Sequence, residues 1–179
     1  MIFQQIEERI SELPLYCWHF FAPEQLEFSQ RIRWICQNEC PMYGKSWACP
    51  PAVGEVETCK AKCLAHQNCL MIATMAEVED ITNIDETLAT RPDHEAVTDQ
   101  VQQLLRDMGV EPYILSTDSC AICQNCTFPE GKSCRHPDRM HPCIESHGIN
   151  IIPTLEENGL EFQYGGNIVT WYSMLFFNP

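Results

Sequence analysis

The chain has 179 residues, with 25 acidic against 11 basic side chains and a formal net charge of −14. A surface this acidic repels polyanions, which argues against nucleic-acid and anionic-membrane binding. A chain of this length can bury a core without covalent staples, so its twelve cysteines need a chemical explanation rather than a packing one.

Met1 to Leu13 reads as a helix, because Ile2, Ile6 and Ile10 recur on one face and Pro14 stops it. The run is charged and amphipathic, unlike the basic-then-apolar start of a signal peptide. Leu15 to Phe21 is aromatic and fits a short strand, and Ala22-Pro23-Glu24 opens a turn. Arg33 to Gly54 holds three cysteines and three prolines, with Pro50-Pro51 barring helix or central strand, and is expected to be a loop fixed by metal. Glu55 to Gln67 reads as helix and Cys69 to Met75 as a buried strand. Glu77 to Pro92 reads as a loop with a short helix. His94 to Met108 is a helix whose face carries Val97, Val101, Leu104, Leu105 and Met108, ended by Gly109. Pro112 to Ser116 is a second strand. His141 to Gly148 and Pro153 to Asn158 are short helices. Leu160 to Tyr164, Gly165-Gly166 and Ile168 to Phe177 read as a terminal hairpin. The last stretch is the longest apolar one, is interrupted by polar residues, and is too short to span a bilayer. The expected class is α+β: a small sheet with flanking helices and two cysteine-rich metal-binding loops, at about 33–63 and 118–147, in a single domain over 1–179. The expected location is cytoplasmic, where thiols stay reduced and clustered cysteines favour metal over disulfides.

The run Cys120-x2-Cys123-x2-Cys126 places three thiols within one short polar segment. Ferredoxin-type loops use this spacing because a cubane cluster offers three iron corners to one tight turn. Cys134 follows after Pro129 and Gly131 as the candidate fourth ligand, at a longer spacing than in ferredoxins. Zinc is the competing ion, since four thiolates suit it equally. Zinc ligands, however, usually come in C-x2-C pairs, and a third cysteine two residues further is less typical of them.

A second set comprises Cys36, Cys40 and Cys49, with Pro41 and Pro50 directly after two of them. Such prolines stiffen a ligand loop, and Gly44 permits the positive φ of a chain wrapping a cluster. The fourth partner is open among Cys59, Cys63 and Cys69, with Cys59 first by nearness along the chain. A position left open would instead let a substrate reach iron.

These runs resemble the family of predicted metal-binding proteins described as domain of unknown function 2284. The resemblance rests on Cys36, Cys40-Pro41-x-Tyr43-Gly44-Lys45, Cys49-Pro50-Pro51, Cys120-x2-Cys123-x2-Cys126, Cys134-Arg135-His136-Pro137 and Pro142-x-Ile144-Glu145-x2-Gly148-Ile149. The terminal Val169 to Phe177 strand fits it too. The resemblance implies a bound metal but names no reaction. The family more often carries serine at position 143, which leaves Cys143 outside the implied ligand set; Cys17, Cys63 and Cys69 also lie outside the motifs.

Arg135, His136, Arg139 and His141 cluster beside Cys134. Arg135 and His136 are candidates to tune an anionic cluster through nearby positive charge. Glu145 beside His147 is a weaker candidate acid–base pair. Trp34, Tyr43 and Trp47 either shield a cluster or belong to the core, and His66 and His94 read as structural. The leading functional reading is a protein with two [4Fe-4S] clusters, one on Cys120, Cys123, Cys126 and Cys134, the other on Cys36, Cys40, Cys49 and Cys59. It would pass electrons to a redox partner protein. The alternatives are a zinc-stabilised binding module and an enzyme using an open iron site; the sequence leaves catalysis open.

Overall fold

The computed structural model describes residues 2–179; Met1 of the first expected helix lies outside them. The architecture is α+β. Six strands fall into a four-stranded antiparallel sheet and a two-stranded ribbon. The sheet contains β1 (Cys17–Phe21), β3 (Asn68–Glu77), β4 (Tyr113–Leu115) and β6 (Ile168–Phe177), in the order β1-β3-β6-β4. Its spine is the long β3–β6 ladder, which runs from the Asn68↔Phe177 pair to Glu77↔Ile168.

The two faces of this ladder are both apolar, by the alternation a pleated strand imposes. Leu70, Ile72, Leu175 and Phe177 face α1 (Ile2–Ile10) and α5 (Arg91–Asp107), meeting Ile6, Ile10, Val101 and Leu105. Cys69, Met71, Tyr172, Met174 and Phe176 face the other way, onto Leu26, Ile144, Ile149, Ile151 and Leu155. That second face has no long helix over it. It is covered by α3 (Val56–Leu64), α6 (Ile152–Glu157), the ribbon of β2 (Glu27–Phe28) with β5 (Ile149–Asn150), and irregular chain. Among the described residues no helix is long and apolar enough to cross a membrane.

Three elements differ from the sequence expectation. Arg33 to Asn38 is not loop but the body of α2 (Gln30–Asn38). Ser29 caps it, its Oγ accepting from the Arg31 N–H at 3.2 Å, and the buried Arg33 and Cys36 lie one turn apart; the breakers begin only at Pro41. The second is the terminal hairpin. Leu160 to Tyr164 forms no strand, because β6 already pairs with β3 on one edge and β4 on the other. The Glu161 carbonyl instead accepts from the Tyr172 hydroxyl at 2.8 Å. The expected helix at His141 to Gly148 shrinks to a 3-10 turn at Glu145–His147, since Cys143 is drawn into a bridge with Ser116. The remaining short helix is α4 (Ile84–Ala89), inside the expected acidic loop.

Candidate metal centres

All twelve cysteines carry free thiols. They occupy different settings because the chain delivers them from different elements. Cys69 sits in the middle of the sheet core, where burial pushes its thiol far up. Cys63, on the inner face of α3, is pushed up to about 12, chiefly by burial and then by Cys59. Neither has the polar surroundings that stabilise a thiolate.

Cys120, Cys123, Cys126 and Cys134 line the wall of one small recess, together with Trp47, Arg135, His136 and Met140. They belong to an excursion, residues 117–142, that leaves the end of β4 and returns beside it. The Ser116 N–H donates to the Pro142 carbonyl at 2.8 Å, and the Ile144 N–H to the Ser116 carbonyl at 3.0 Å. Inside the excursion a 3-10 turn at Phe128–Glu130 ends on Gly131, whose φ of 66° needs glycine. The Thr127 hydroxyl donates to the Ser133 carbonyl at 2.9 Å, closing that turn. Two backbone amides aim at sulfur: Ile122 at Cys120 and His136 at Cys134, the latter at 3.4 Å. N–H donors to sulfur favour the thiolate and are among the contacts that set cluster potentials. The Arg135 guanidinium donates to the Asn125 carbonyl at 2.9 Å, pinning it over the loop.

Arg139 and His141 do not join this recess. His141 is buried, faces Asp99 of α5 at 3.3 Å and lines a separate cleft, as does the exposed Arg139. That cleft encloses about 710 Å³ and is bordered by Cys40 on one wall and Cys120 on another, with Ile84, Leu88 and Ile122 as apolar lining.

Cys36, Cys40 and Cys49 are brought into one neighbourhood by α2 and the following loop. The Gly44 N–H donates to the Pro50 carbonyl at 2.9 Å, and Gly44 has the positive φ of 73° expected for it. Burial pushes the Cys36 thiol up to about 11, and the nearby Cys40 and Glu145 add to the rise. Cys49 lies 3.3 Å from Ser119, next to the second run. Cys59 is placed elsewhere. Its sulfur packs against the Val53 carbonyl at 3.5 Å, the Arg33 guanidinium at 3.7 Å and the Gly54 carbonyl at 3.8 Å. Among the described residues no three His, Cys, Asp or Glu side chains converge on a single ion-sized point.

The two loops are locked together by Arg33, which was not among the candidate residues, and by Trp47. Arg33, 4 % exposed, donates to the Gly54 carbonyl at 2.8 Å and to the Ser146 carbonyl at 2.6 Å. It thereby ties α2 to the end of each cysteine loop. An arginine one turn before Cys36 on the helix's inner face was the signal available for it. The Trp47 indole N–H, from the first loop, reaches Thr127 at 3.3 Å and the Lys132 carbonyl at 3.1 Å in the second. Its ring meets Phe128 edge-on at 5.0 Å. Trp34 and Tyr43, by contrast, are exposed. Glu145 and His147 do not form a pair: His147 bonds Ser146 and the Tyr113 hydroxyl, whereas Glu145 lies toward Cys36 and Cys143. His94 is buried between Thr74 and Ser173, each at 2.8 Å. His66 stacks on Tyr113.

The family model described as "Predicted metal-binding protein (DUF2284)" matches residues 19–177. No curated protein and no solved structure matches the chain.

Proposed function

We propose, from the premise that this chain belongs to the DUF2284 family of predicted metal-binding proteins, that it is an iron–sulfur protein carrying two [4Fe-4S] clusters. Its role is electron transfer, as a redox accessory to a partner enzyme. The observation that carries the reading is the single recess lined by Cys120, Cys123, Cys126 and Cys134. The donor set suits the group. The sulfurs are soft ligands on a triple-cysteine turn, two of them receive backbone N–H groups, and Arg135 supplies positive charge at the rim beside the His136 ring. A bound cluster of this kind supplies one-electron transfer. The chain's part is to hold the thiolates, donate hydrogen bonds to them and limit water through Trp47 and Met140. A cytoplasmic location agrees with twelve thiols kept reduced, and the acidic surface suits a basic docking partner.

One observation favours a second reading, an enzyme with an open iron site: the 710 Å³ cleft is of small-molecule size and reaches Cys40 and Cys120. Anaerobic purification with iron, acid-labile sulfide and zinc analysis tests the first reading. It predicts a brown protein with iron and sulfide in equal amounts, bleached by dithionite. Stoichiometric zinc without iron or sulfide refutes it and establishes the zinc-stabilised module.

A further inference from the structure

We infer that Cys143, and not Cys59, completes the first centre with Cys36, Cys40 and Cys49, so that this centre is closed by four cysteine ligands. The inference rests on the metal-binding reading above and specifies one of its sites.

Three features of the geometry carry it. First, position: the Cys143 N–H donates to the Ala48 carbonyl at 3.3 Å, which lays Cys143 alongside Cys49, the next residue along that segment. Cys36 reaches the same place from α2, its sulfur 3.8 Å from the carbonyl of Glu145, two residues beyond Cys143. Second, the polarity of each sulfur's surroundings. The Cys143 sulfur accepts the Ser146 N–H at 3.3 Å, the arrangement seen at Cys120 and Cys134 in the other loop. The Cys59 sulfur instead donates to the carbonyls of Val53 and Gly54. Among the described residues no backbone N–H reaches the Cys59 sulfur, whose one donor is the Arg33 guanidinium at 3.7 Å, whereas the amide at Cys143 is a donor of the kind that favours a metal-bound thiolate. Third, Arg33 fills the space beside Cys59: its guanidinium spans from the Gly54 carbonyl to that of Ser146 while touching the Cys59 sulfur.

A centre with four protein thiolates has no vacant corner for a substrate, which assigns the first centre to electron transfer or structure. Cys143 is also the residue at which the second loop closes on β4, through its bridge to Ser116. Its ligation would therefore couple the closure of one metal loop to the filling of the other.

The test compares wild-type protein with Cys143→Ala, Cys143→Ser and Cys59→Ala, each purified anaerobically. Metal and sulfide per chain are measured alongside the electron paramagnetic resonance spectrum of the reduced protein and far-ultraviolet circular dichroism. Cys143→Ala is expected to halve the metal content and remove one of two signals, while Cys59→Ala keeps both. The near-isosteric Cys143→Ser is expected either to halve the metal or to shift the first centre's signal. Should Cys143→Ala lose its fold, Cys143→Ser decides: a wild-type metal content and spectrum in it overturns the inference. So does halved metal in Cys59→Ala with full metal in both Cys143 variants. A wild-type chain that binds no metal refutes the underlying reading instead, and is distinguished by the wild-type measurement alone.

Discussion

Replacing Arg33 tests whether the two cysteine loops are held by one buried cation. Its guanidinium satisfies the carbonyls of Gly54 and Ser146 in a space closed to water. Arg33→Ala leaves both acceptors without a partner, at about 1–3 kcal/mol each, and opens a cavity as well. The two lost acceptors together cost about 2–6 kcal/mol. Arg33→Met keeps the volume and loses only the hydrogen bonds. Its cost falls near 2 kcal/mol, roughly, because the unpartnered Arg33 Nε is a desolvation penalty that methionine relieves. Arg33→Lys has one ammonium for two carbonyls on different segments, so it recovers about half of the loss, roughly 1–2 kcal/mol.

The assay is urea unfolding of the metal-loaded protein under anaerobic conditions. With a slope of about 2–3 kcal/mol per molar urea for a chain of this size, Arg33→Ala moves the midpoint down by about 1–2 M. The same variant is expected to surrender the first centre's metal to a chelator faster than wild type, because α2, which carries Cys36, loses its tie to the loop ends. An Arg33→Met protein with an unchanged midpoint and unchanged metal release refutes the reasoning, since the carbonyls would then be satisfied without the guanidinium.

Gly148→Ala is expected to cost about 1–3 kcal/mol, lowering Tm by several degrees. Its φ is +73°, and a Cβ would meet Val56 Cγ1 at 3.0 Å and the Ser29 carbonyl at 3.1 Å. Trp47→Phe keeps the ring against Phe128 but removes the indole N–H from Thr127 and Lys132. It should cost about 1–2 kcal/mol and speed loss of metal from the Cys120–Cys134 loop, read as the chelation rate. His94 is held neutral by burial, its pKa lowered from 6.5 to about 3. The unfolded chain then binds a proton that the folded chain does not, so stability falls as pH drops below the unfolded pKa. The loss at pH 5 is about 2 kcal/mol. His94→Gln should flatten that acid limb relative to wild type in urea melts at several pH values, and an unchanged slope refutes the assignment.

Periodicity made most of the scaffold legible. The helix faces of α1 and α5 follow from residue spacing, because each buries one regular stripe, and β3 and β6 show as continuous apolar runs, because both of their faces are buried. What spacing could not reveal was pairing. Leu160 to Tyr164 looks like a hairpin partner for β6, yet β6 had two better partners far away in the chain, β3 and β4. Prolines at 41, 50 and 51 drew the eye past the Ser29-capped turn that begins α2. The triple-cysteine run was visible because its cysteines are neighbours in the sequence. The placement of Cys143 beside Cys49 was not, since it depends on the hydrogen bond from the Cys143 N–H to the Ala48 carbonyl, far away in the sequence.

The number of cysteines is a poor guide to ligation here; what surrounds each sulfur is a better one. A thiolate needs donors or a metal to replace the water it loses. Cys63 and Cys69 are offered neither: their neighbours are the aliphatic and aromatic side chains of the sheet core, so they remain protonated packing residues. Cys120, Cys134 and Cys143 are each offered a backbone N–H by a residue two or three positions further on. That contact is built by the local turn, not by the core: at Cys143 the Ser146 N–H is shared between the sulfur at 3.3 Å and the Cys143 carbonyl at 3.1 Å. A loop rich in proline and glycine can turn its amides inward toward sulfur, whereas a helix or strand has already committed them to its own carbonyls.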